Sequence, residues 1–385
     1  MGTCRAKAFC QWRLLLPGLA VAFGFINVPR THATSLVAWG SGVATNVPAL
    51  SNVVAIAGAS VHGLAVQNNG LVTAWGGNSA GESNVPNDLS NVVAVAAGFY
   101  HSLALRTDGS AVAWGRNTEG QSSVPEGLSN VTAIAAGEKH CLALKGDGTV
   151  VNWGKYRNDD VLAGVVMPFP AGLSNVIAIA AGDNHDVLLK RDGTVFTWGW
   201  NGWSQTNLPP EITNVAGVGA TGDDSLVILS NGTVVCWGRD NYNQTQVPTS
   251  LTNAASVCGG PDHILAIRKN GMVAAWGSNA SGQTSLPAGL TNVMALAAGQ
   301  QFSLALVGGA ASSPDFTLSN PIRGAGSFSV SVSTVSGKSY SLEYKDALTN
   351  ANWTGLPSVA GDGSVKTLTD SGASGTARLY RVRQF

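Results

Sequence analysis

The chain has 385 residues, with 22 basic and 22 acidic side chains, and only 11% of its positions are Asp, Glu, Lys or Arg. Average soluble proteins carry about 25% charged residues. A chain so poor in charge, with 44% hydrophobic residues and 48 glycines, is not intrinsically disordered. The balance of charges leaves no basic surplus to neutralise phosphates, so we expect no nucleic-acid partner.

The first residues have the order typical of a secretory signal peptide. Basic residues within positions 5–13 precede an apolar run from Leu14 to about Val28, and Thr31 and Ala33 are small residues suited to a cleavage site. The alternative is a membrane anchor, but the run is about 15 residues long and a spanning helix needs roughly 20. We predict that residues 1–33 are a signal peptide, that the protein is secreted or lies at the cell surface, and that it has no membrane span.

A repeat follows the leader. The dipeptide Trp-Gly recurs seven times at spacings of 36 to 45 residues. Self-similarity at about 40 residues is typical of a solenoid or a propeller. The seven tryptophans are Trp39, Trp75, Trp114, Trp153, Trp198, Trp237 and Trp276.

Each repeat has four pieces, which are clear in the third copy. Val131–Gly137 is a run of small and β-branched residues, and His140–Leu144 alternates in polarity. Asp147-Gly148 is a hairpin turn signal, Thr149–Trp153 alternates again, and a polar loop then leads to a short segment ending in proline. The pattern predicts an antiparallel blade of four short strands, with the proline blunting its outer edge.

The seventh hairpin is missing from the sequence, because its two sides lie at opposite ends of the repeat region. Phe302–Val307 has no following Trp-Gly strand, and Leu36–Gly40 has no preceding partner. Pairing these two segments would close the ring and remove an open sheet edge. We predict an all-β protein whose residues 34–309 form a seven-bladed β-propeller, closed by its N- and C-terminal strands, with the tryptophans packed between blades.

Five histidines share one repeat position, at which Asp224 and Phe302 complete the set. Neighbouring sheets stack roughly 10 Å apart, too far for these side chains to share a metal ion. We expect each histidine to hydrogen-bond the turn of its own blade, and we predict no metal site. The five are His62, His101, His140, His185 and His263.

The remaining candidate chemistry is weak. Gly77–Gly81 and Gly217–Gly222 match hydrolase and dinucleotide-binding strings, but neither precedes the helix that those motifs require. We therefore predict no catalytic residue and no cofactor. The paired acids Asp159-Asp160 and Asp223-Asp224 are interpreted as solvated loop residues. Three scattered cysteines in the mature chain (Cys141, Cys236 and Cys258) are interpreted as small buried hydrophobic residues rather than a disulfide framework.

One face of the predicted propeller carries most of the irregularity. The Ala-Gly-x-x-His turns and the loops after Trp-Gly emerge on this face, and three consecutive loops are unusual. The long loop after Trp153 holds Tyr156 and Arg157, the next holds Trp200 and Trp203, and the third holds Tyr242 beside Arg239. Aromatic residues and arginine dominate interface energies, so these side chains are candidate partner contacts. The alternative is local packing within the loops.

The Trp-Gly strands, the Ala-Gly-x-x-His turns and the Asp-Gly hairpins together resemble the regulator of chromosome condensation repeat family. The short period and the start at Ser35–Gly40 resemble in particular the secreted β-lactamase inhibitory protein II type, a small seven-bladed propeller. That resemblance implies aromatic contacts in the Ala-Gly-x-x-His turns, where only Phe99 and Tyr100 match. It therefore adds these two residues to the candidate partner contacts.

The repeat stops after Gly309. Residues 310–314 read as a linker, and alternating runs follow up to residue 385. The pattern around Tyr340–Tyr344 resembles the small fibronectin-like β-sandwich modules at the ends of secreted proteins. We predict a second small domain over residues 310–385, with an adhesive or spacer role.

The first functional hypothesis is a secreted, non-enzymatic propeller that binds a protein through loops on one face. One alternative is a glycan-binding or glycan-cleaving propeller, because exposed Trp and Tyr rings also stack on sugars. A further alternative is an inhibitor of an extracellular enzyme such as a β-lactamase. Residues 34–309 contain 11 basic and 17 acidic side chains, which again argues against nucleic acid.

Overall fold

The structure is a computed structural model that describes residues 34–156, 169–170, 172–308, 318–324, 327–334, 336–345, 354–372 and 379–384. The predicted signal peptide, the linker at 310–314 and Arg157, Asp159 and Asp160 lie outside these residues. The chain divides into two compact units, one of residues 15–309 and the other including residues 310–385. Within the described residues, no helix is long and apolar enough to cross a membrane.

The first of these units, which we call the repeat unit, contains 21 strands and one short 3₁₀ helix at Val43–Thr45 within its described residues. In chain order the strands are β1 (Thr34–Gly40), β2 (Val53–Ala59), β3 (His62–Gln67), β4 (Val72–Gly76), β5 (Val92–Ala97), β6 (His101–Arg106), β7 (Ala111–Gly115), β8 (Val131–Ala136), β9 (His140–Lys145), β10 (Val150–Gly154), β11 (Val176–Ala181), β12 (His185–Lys190), β13 (Val195–Gly199), β14 (Val215–Ala220), β15 (Asp224–Leu229), β16 (Val234–Gly238), β17 (Ala254–Gly259), β18 (His263–Arg268), β19 (Val273–Gly277), β20 (Val293–Ala298) and β21 (Phe302–Gly308).

These strands form three-stranded antiparallel sheets, which we call blades. Blade 1 is β2–β4, blade 2 is β5–β7, blade 3 is β8–β10, blade 4 is β11–β13, blade 5 is β14–β16, blade 6 is β17–β19, and blade 7 consists of β20, β21 and β1. In blade 7, Leu36 pairs with Leu306 and Gly40 pairs with Phe302, which is the pairing that the sequence predicts.

The predicted fourth strand is wrong. The segments that end in proline form turns instead, and in several of them the residue three positions after the proline donates its N–H to the proline carbonyl, as Leu128 does to Pro125 at 3.2 Å. Proline has no N–H to donate to a sheet, and the carbonyl that could extend the sheet is used in the turn. As far as the described residues show, each blade therefore stops at its Trp-Gly strand.

Tryptophan packing joins consecutive blades, as predicted. Trp153 of blade 3 lies in one buried cluster with Leu103 and Leu105 of blade 2. Trp39 lies with Leu265 and Ile267 of blade 6. The indole N–H of Trp153 also donates to a backbone carbonyl of the loop that precedes its blade, at 3.0 Å. The ring thus buries apolar area and satisfies its one polar group in the same contact.

The inner strands lie closest to one another. The first strands of consecutive blades contact each other in sequence order, and β20 of blade 7 contacts β2 of blade 1. A Cβ atom added to Gly137, at the end of β8, would lie 2.4 Å from the carbonyl oxygen of Gly182 in the next blade. This approach explains why the inner strands end in Ala-Ala-Gly, where larger side chains would clash.

The described residues of the C-terminal unit form two sheets. Its strands are β22 (Leu318–Gly324), β23 (Ser327–Ser333), β24 (Ser339–Lys345), β25 (Thr354–Gly355), β26 (Val359–Ala360), β27 (Val365–Asp370) and β28 (Leu379–Gln384). One sheet has the order β22-β23-β27, and in the other β24 pairs with β25, β26 and β28. Val332, Tyr340 and Leu342 are buried in a shared hydrophobic cluster.

Candidate functional site

The turns after the inner strands and the loops after Trp-Gly lie on one side of the repeat unit. In every blade the first residue of the loop after Trp-Gly donates its N–H to the second residue of the Gly-x-x-His turn. Arg239, for example, donates to the carbonyl of Asp223 at 3.1 Å, and Trp200 donates to Asn184 at 2.8 Å. We call this side the loop face.

The first residues of these turns approach one another across blade boundaries. The N–H of Glu138 donates to the carbonyl of Asp183 at 3.0 Å, and the N–H of Asp183 donates to Gly222 at 2.7 Å. The N–H of Gln300 donates to the carbonyl of Ser60 at 3.0 Å, which joins blade 7 to blade 1. At these points, backbone hydrogen bonds join the turns of neighbouring blades. We call this row of turns the inner border of the loop face.

Two exposed aromatic rings lie near one guanidinium group on this face. The Cζ atom of Arg239 lies 5.9 Å from the ring centroid of Trp203 and 5.9 Å from that of Tyr242. Trp203 is 44% exposed and Tyr242 is 45% exposed. We call these three residues the aromatic patch. The structure thus brings together residues that the sequence places in consecutive loops.

Buried glutamines anchor the backbone at both aromatic residues. The side-chain oxygen of Gln205 accepts the backbone N–H of Trp203 at 2.9 Å, and that of Gln244 accepts the backbone N–H of Tyr242 at 2.8 Å. Both glutamines are fully buried. The same bond recurs at less distinctive residues of other blades, such as Glu119 with Gln121. The loop conformation therefore belongs to the repeat, whereas the aromatic side chains at this position do not.

Polar neighbours fix the guanidinium of Arg239. Its Nη1 lies 3.3 Å from Oδ1 of Asp262 and 3.9 Å from Oδ2 of Asp223. With the Asn241 amide turned so that its oxygen faces the guanidinium, that oxygen accepts from Nε at 2.9 Å and from Nη2 at 3.1 Å. These contacts restrain the guanidinium of Arg239 next to the two rings.

Carboxylates crowd the turns beside the patch. Burial, followed by the charges of Asp223 and Glu138, raises the pKa of Asp183 to about 7. The side-chain amide of Asn184 donates to Glu138 at 3.0 Å. Among the described residues, Nη1 of Arg239 lies within ion-pair distance of Asp223 and Asp262, and Nζ of Lys139 lies 4.0 Å from Glu138.

The other candidate contacts are placed differently. Tyr156 is only 3% exposed, so its prediction as an exposed partner contact is wrong. Its hydroxyl donates to Oδ2 of Asp186 at 2.5 Å, and its ring lies 4.2 Å from that of His140. Arg157 lies outside the described residues. The buried carboxylate of Asp186 gives Tyr156 an internal hydrogen-bond partner, which explains why this tyrosine turns inward.

Trp200 is half-buried, and a Cβ atom added to Gly202 would meet its ring at 2.2 Å. Trp200 is therefore partly engaged in local loop packing. Phe99 and Tyr100 are both half-buried and form an edge-to-face pair with centroids 4.7 Å apart. They belong to blade 2, whereas the aromatic patch belongs to the loops of blades 4 and 5.

The histidines bond differently from the prediction that each contacts its own turn. In four of the five, the Nε2 atom contacts a polar side chain of the next blade instead: His62 lies 3.0 Å from Ser102 Oγ, and His263 lies 2.9 Å from Ser303 Oγ. The partner is the residue that follows the next blade's own His position, and it lies on the middle strand of that blade. Equivalent contacts join His101 to Cys141 and His140 to Asp186.

Two further expectations concern buried groups. Asp224 is 1% exposed on β15, so its assignment as a solvated loop residue is wrong, and burial raises its pKa to about 8. Cys141 is fully buried, Cys236 and Cys258 are partly buried, and all three are free thiols. Among the described residues, no group of three or more His, Cys, Asp or Glu side chains is arranged to hold a metal ion.

The inner strands enclose an apolar cavity of about 450 Å³, lined mainly by alanine, glycine and branched aliphatic residues. Lys269 is the one charged residue among its lining residues in the described part of the chain. The cavity offers no convergent polar groups of the kind that orient a small ligand.

Comparison with known proteins supports the repeat and the fold. Three segments match the model of the Regulator of chromosome condensation (RCC1) repeat: residues 92–121, 176–202 and 254–283. No curated protein matches the chain. These three segments are therefore similar to RCC1 repeats.

Solved structures of similar fold include Prp20p of Saccharomyces cerevisiae, described by its binding to Gsp1p and histones, at 21% identity and a TM-score of 0.60, over 74% of this chain and 93% of that chain. Human WBSCR16 is similar at 18% identity and a TM-score of 0.56, over 71% of this chain and 99% of that chain. The CRINKLY WD40 ectodomain of the Arabidopsis thaliana receptor kinase ACR4 is similar at 21% identity and a TM-score of 0.51, over 69% and 91%. The repeat unit thus has the fold of an RCC1-like propeller.

Proposed function

We propose that this protein is a secreted, non-enzymatic scaffold in which seven blades form a closed propeller, and that it binds a protein partner through the aromatic patch on its loop face. The observation that carries the proposal is the pair of exposed rings on a fixed guanidinium. Trp, Tyr and Arg are the side chains most enriched at energetic centres of interfaces. Rigid aromatic residues lose little conformational entropy when they bind, which favours affinity.

Three further observations support parts of the proposal. RCC1-like propellers are a kind of protein-binding scaffold, and Prp20p is described by its binding to Gsp1p and histones. The pairing of β1 with β21 and the bond from Gln300 to Ser60 support closure of the ring. The order of basic, apolar and small residues at positions 5–33 supports export.

The test is partner capture from the extracellular fraction by the full chain. Replacing Trp203 or Tyr242 with Ala is expected to weaken capture by about tenfold or more, because each change removes a large exposed ring from the contact. Met272→Ala is the matched control, since Met272 is 51% exposed on a hairpin at the other end of its blade. Equal capture by all three variants and the unchanged protein would reject the patch.

Glycan binding remains the second candidate, because exposed Trp and Tyr rings also stack on sugars. Retention on immobilised polysaccharide, lost with the same two substitutions, would favour it. Inhibition of an enzyme such as a β-lactamase has less support, since Phe99 and Tyr100 are the only aromatic turn pair and both are half-buried. A fibronectin-like sandwich acting as a spacer is proposed for the C-terminal unit.

A further inference from the structure

The two rings of the aromatic patch stand at equivalent positions in the loops of neighbouring blades, and this placement selects the conformation of the segment that they bind. We propose that the patch docks a proline-rich segment of the partner protein in the polyproline II conformation, with one proline on Trp203 and a second proline, one turn further along, on Tyr242. The inference rests on the proposed function and names the class of segment that the patch receives.

The repeat sets the spacing of the two rings. Trp203 and Tyr242 each stand two residues before a buried glutamine that accepts their backbone N–H. In the loops that follow blades 1, 2 and 6, the same position holds Ala80, Glu119 and Ser281. Because neighbouring blades repeat one loop conformation, the fold determines how far apart the two aromatic residues lie.

The separation of the rings accommodates one turn of a polyproline II helix. Each ring centroid lies 5.9 Å from the Cζ atom of Arg239, so the two centroids are at most twice that distance apart. A polyproline II helix has three residues per turn and rises about 3.1 Å per residue, so prolines at positions i and i+3 lie about 9 Å apart. Two such prolines can therefore contact both rings at once.

The backbone of these loops does not offer an edge to a partner in the β conformation. A buried glutamine already accepts the backbone N–H of Trp203 and of Tyr242. The N–H groups of Thr206 and Thr245 donate to side chains within the same loops at 2.9 Å. A segment that adds a strand needs free backbone groups on a sheet edge, whereas a polyproline II segment is bound through the faces of its rings.

The polar groups of the patch also favour such a segment over a sugar. The guanidinium of Arg239 is engaged by Asp262 and by the turned Asn241 amide. The exposed side chains of Trp203 and Tyr242 carry one donor each, an indole N–H and a hydroxyl. Two rings with one donor each suit a polyproline II segment, whose carbonyl groups have no internal hydrogen bonds. A sugar needs several directed polar groups to fix its hydroxyls.

The experiment titrates the full chain with three neutral fluorescent peptides that share a Gly-Ser background. The first carries a run of prolines long enough for two turns, the second carries alanine at the same positions, and the third carries leucine. Cellohexaose is the sugar probe. We expect the alanine and leucine peptides to bind at least about tenfold more weakly than the proline peptide, because polyproline II is already ordered before binding. Since the contact is uncharged, the affinity should change little with salt.

Matched variants locate the contact. Trp203→Ala and Tyr242→Ala are each expected to weaken binding of the proline peptide by about tenfold or more, because each removes one of the two ring contacts. Tyr242→Phe keeps the ring and removes its hydroxyl, and we expect a loss of about threefold. Met272→Ala, at an exposed hairpin residue at the other end of its blade, is the control and should leave binding unchanged. Thermal unfolding of each variant checks that the fold is retained.

Equal binding of the three peptides, no binding of the proline peptide at millimolar concentration, or a higher affinity for cellohexaose would overturn the inference. So would unchanged binding of the proline peptide to Trp203→Ala and Tyr242→Ala. The proposed function fails separately, if those two variants capture the partner as well as the unchanged protein does. If they lose the partner while the unchanged protein does not bind the proline peptide, the protein-binding patch stands and its preference for a proline-rich segment does not.

Discussion

At the level of single residues, a buried histidine contact links each of four blades to the next blade. His62, His101, His140 and His263 each reach a polar side chain that follows the next blade's own His position. Where the repeat position changes, its partner changes too: Asp224 precedes a blade with Ile264 at the partner position, and Phe302 precedes a blade with Gly63 there. His185 departs from this pattern, because Ser225 stands at the partner position but Nε2 of His185 has no hydrogen-bond partner among the described residues.

Removal of one of these partners should be costly. Ser303→Ala is expected to lower the free energy of unfolding by about 1–3 kcal/mol, since it leaves Nε2 of the buried His263 without its hydroxyl partner. Ser250→Ala, at an exposed position, is the control and is expected to change stability by less than about 0.5 kcal/mol. Urea unfolding measures both. Equal stability of the two variants would show that the contact contributes nothing.

The sequence predicts the His positions but not their partners. From the sequence alone, the turn of the same blade is the expected hydrogen-bond partner of each histidine, because the two are adjacent in the chain. The actual partner lies about 40 residues away on the next blade, as His62 and Ser102 do. The signal was present, because the residue after each histidine is often polar on a strand that is otherwise apolar. Whether a histidine reaches that polar residue depends on the distance between two neighbouring sheets, which the sequence does not show.

Buried titratable groups should give the stability a maximum in pH. Burial lowers the pKa of His62, His185 and His263 to about 4 and that of His101 to about 3. The unfolded chain therefore binds more protons between pH 4 and about 6.5, and stability falls as the pH drops through this range. Asp183 and Asp224, with pKa values of about 7 and 8, are protonated in the folded state, so stability falls as the pH rises from about 4 toward 8.

The two opposing contributions cancel near pH 6.5, where the free energy of unfolding is expected to be highest. Denaturant unfolding at pH 5, near pH 6.5 and at pH 8 checks this, with Asp224→Asn as the control that should flatten the decline above the maximum. A stability that rises steadily from pH 5 to pH 8 would contradict the assignment of neutral, buried Asp183 and Asp224.

At the scale of elements, the blades are predicted well from the sequence except at their edges. The alternation of the middle and Trp-Gly strands, the hairpin turns and the pairing of β1 with β21 all appear as expected. The fourth strand does not, since strand propensity cannot reveal that the proline segments satisfy their hydrogen bonds in turns. The strand patterns also do not predict the residue before each inner strand. In every blade this residue is an asparagine with positive φ. These are Asn52, Asn91, Asn130, Asn175, Asn214, Asn253 and Asn292.

The asparagine position is needed for its backbone conformation. Asn214 has φ of 56°, and its carbonyl accepts the N–H of Ser230 at 2.8 Å. Asn214→Ala is expected to lower the free energy of unfolding by about 1 kcal/mol, because the left-handed region is costly for alanine. Asn214→Gly, which adopts that conformation without steric cost, should lose less. Thermal unfolding of the pair measures the difference, and a glycine variant less stable than the alanine variant would contradict it.

At the scale of the whole molecule, near-identical blades present one non-repeating patch. The repeat dictates the glutamine-held loops, so the backbone under Trp203 and Tyr242 is shared with blades that carry small or charged residues there. Sequence comparison between the repeats therefore identifies these rings as exceptions. It could not separate them from Tyr156, which is equally exceptional but buried against Asp186, because burial depends on the fold around the loop.

Hydrogen exchange of the full chain, alone and with the partner recovered by capture, tests the loop-face assignment most directly. We expect slower exchange on binding in the loops that hold Trp203 and Tyr242, residues 200–207 and 239–246. We expect no change at the hairpins around Gly109 and Gly271, at the other ends of their blades. Protection of the hairpins with unchanged loops would contradict the account and move the binding surface to the opposite face.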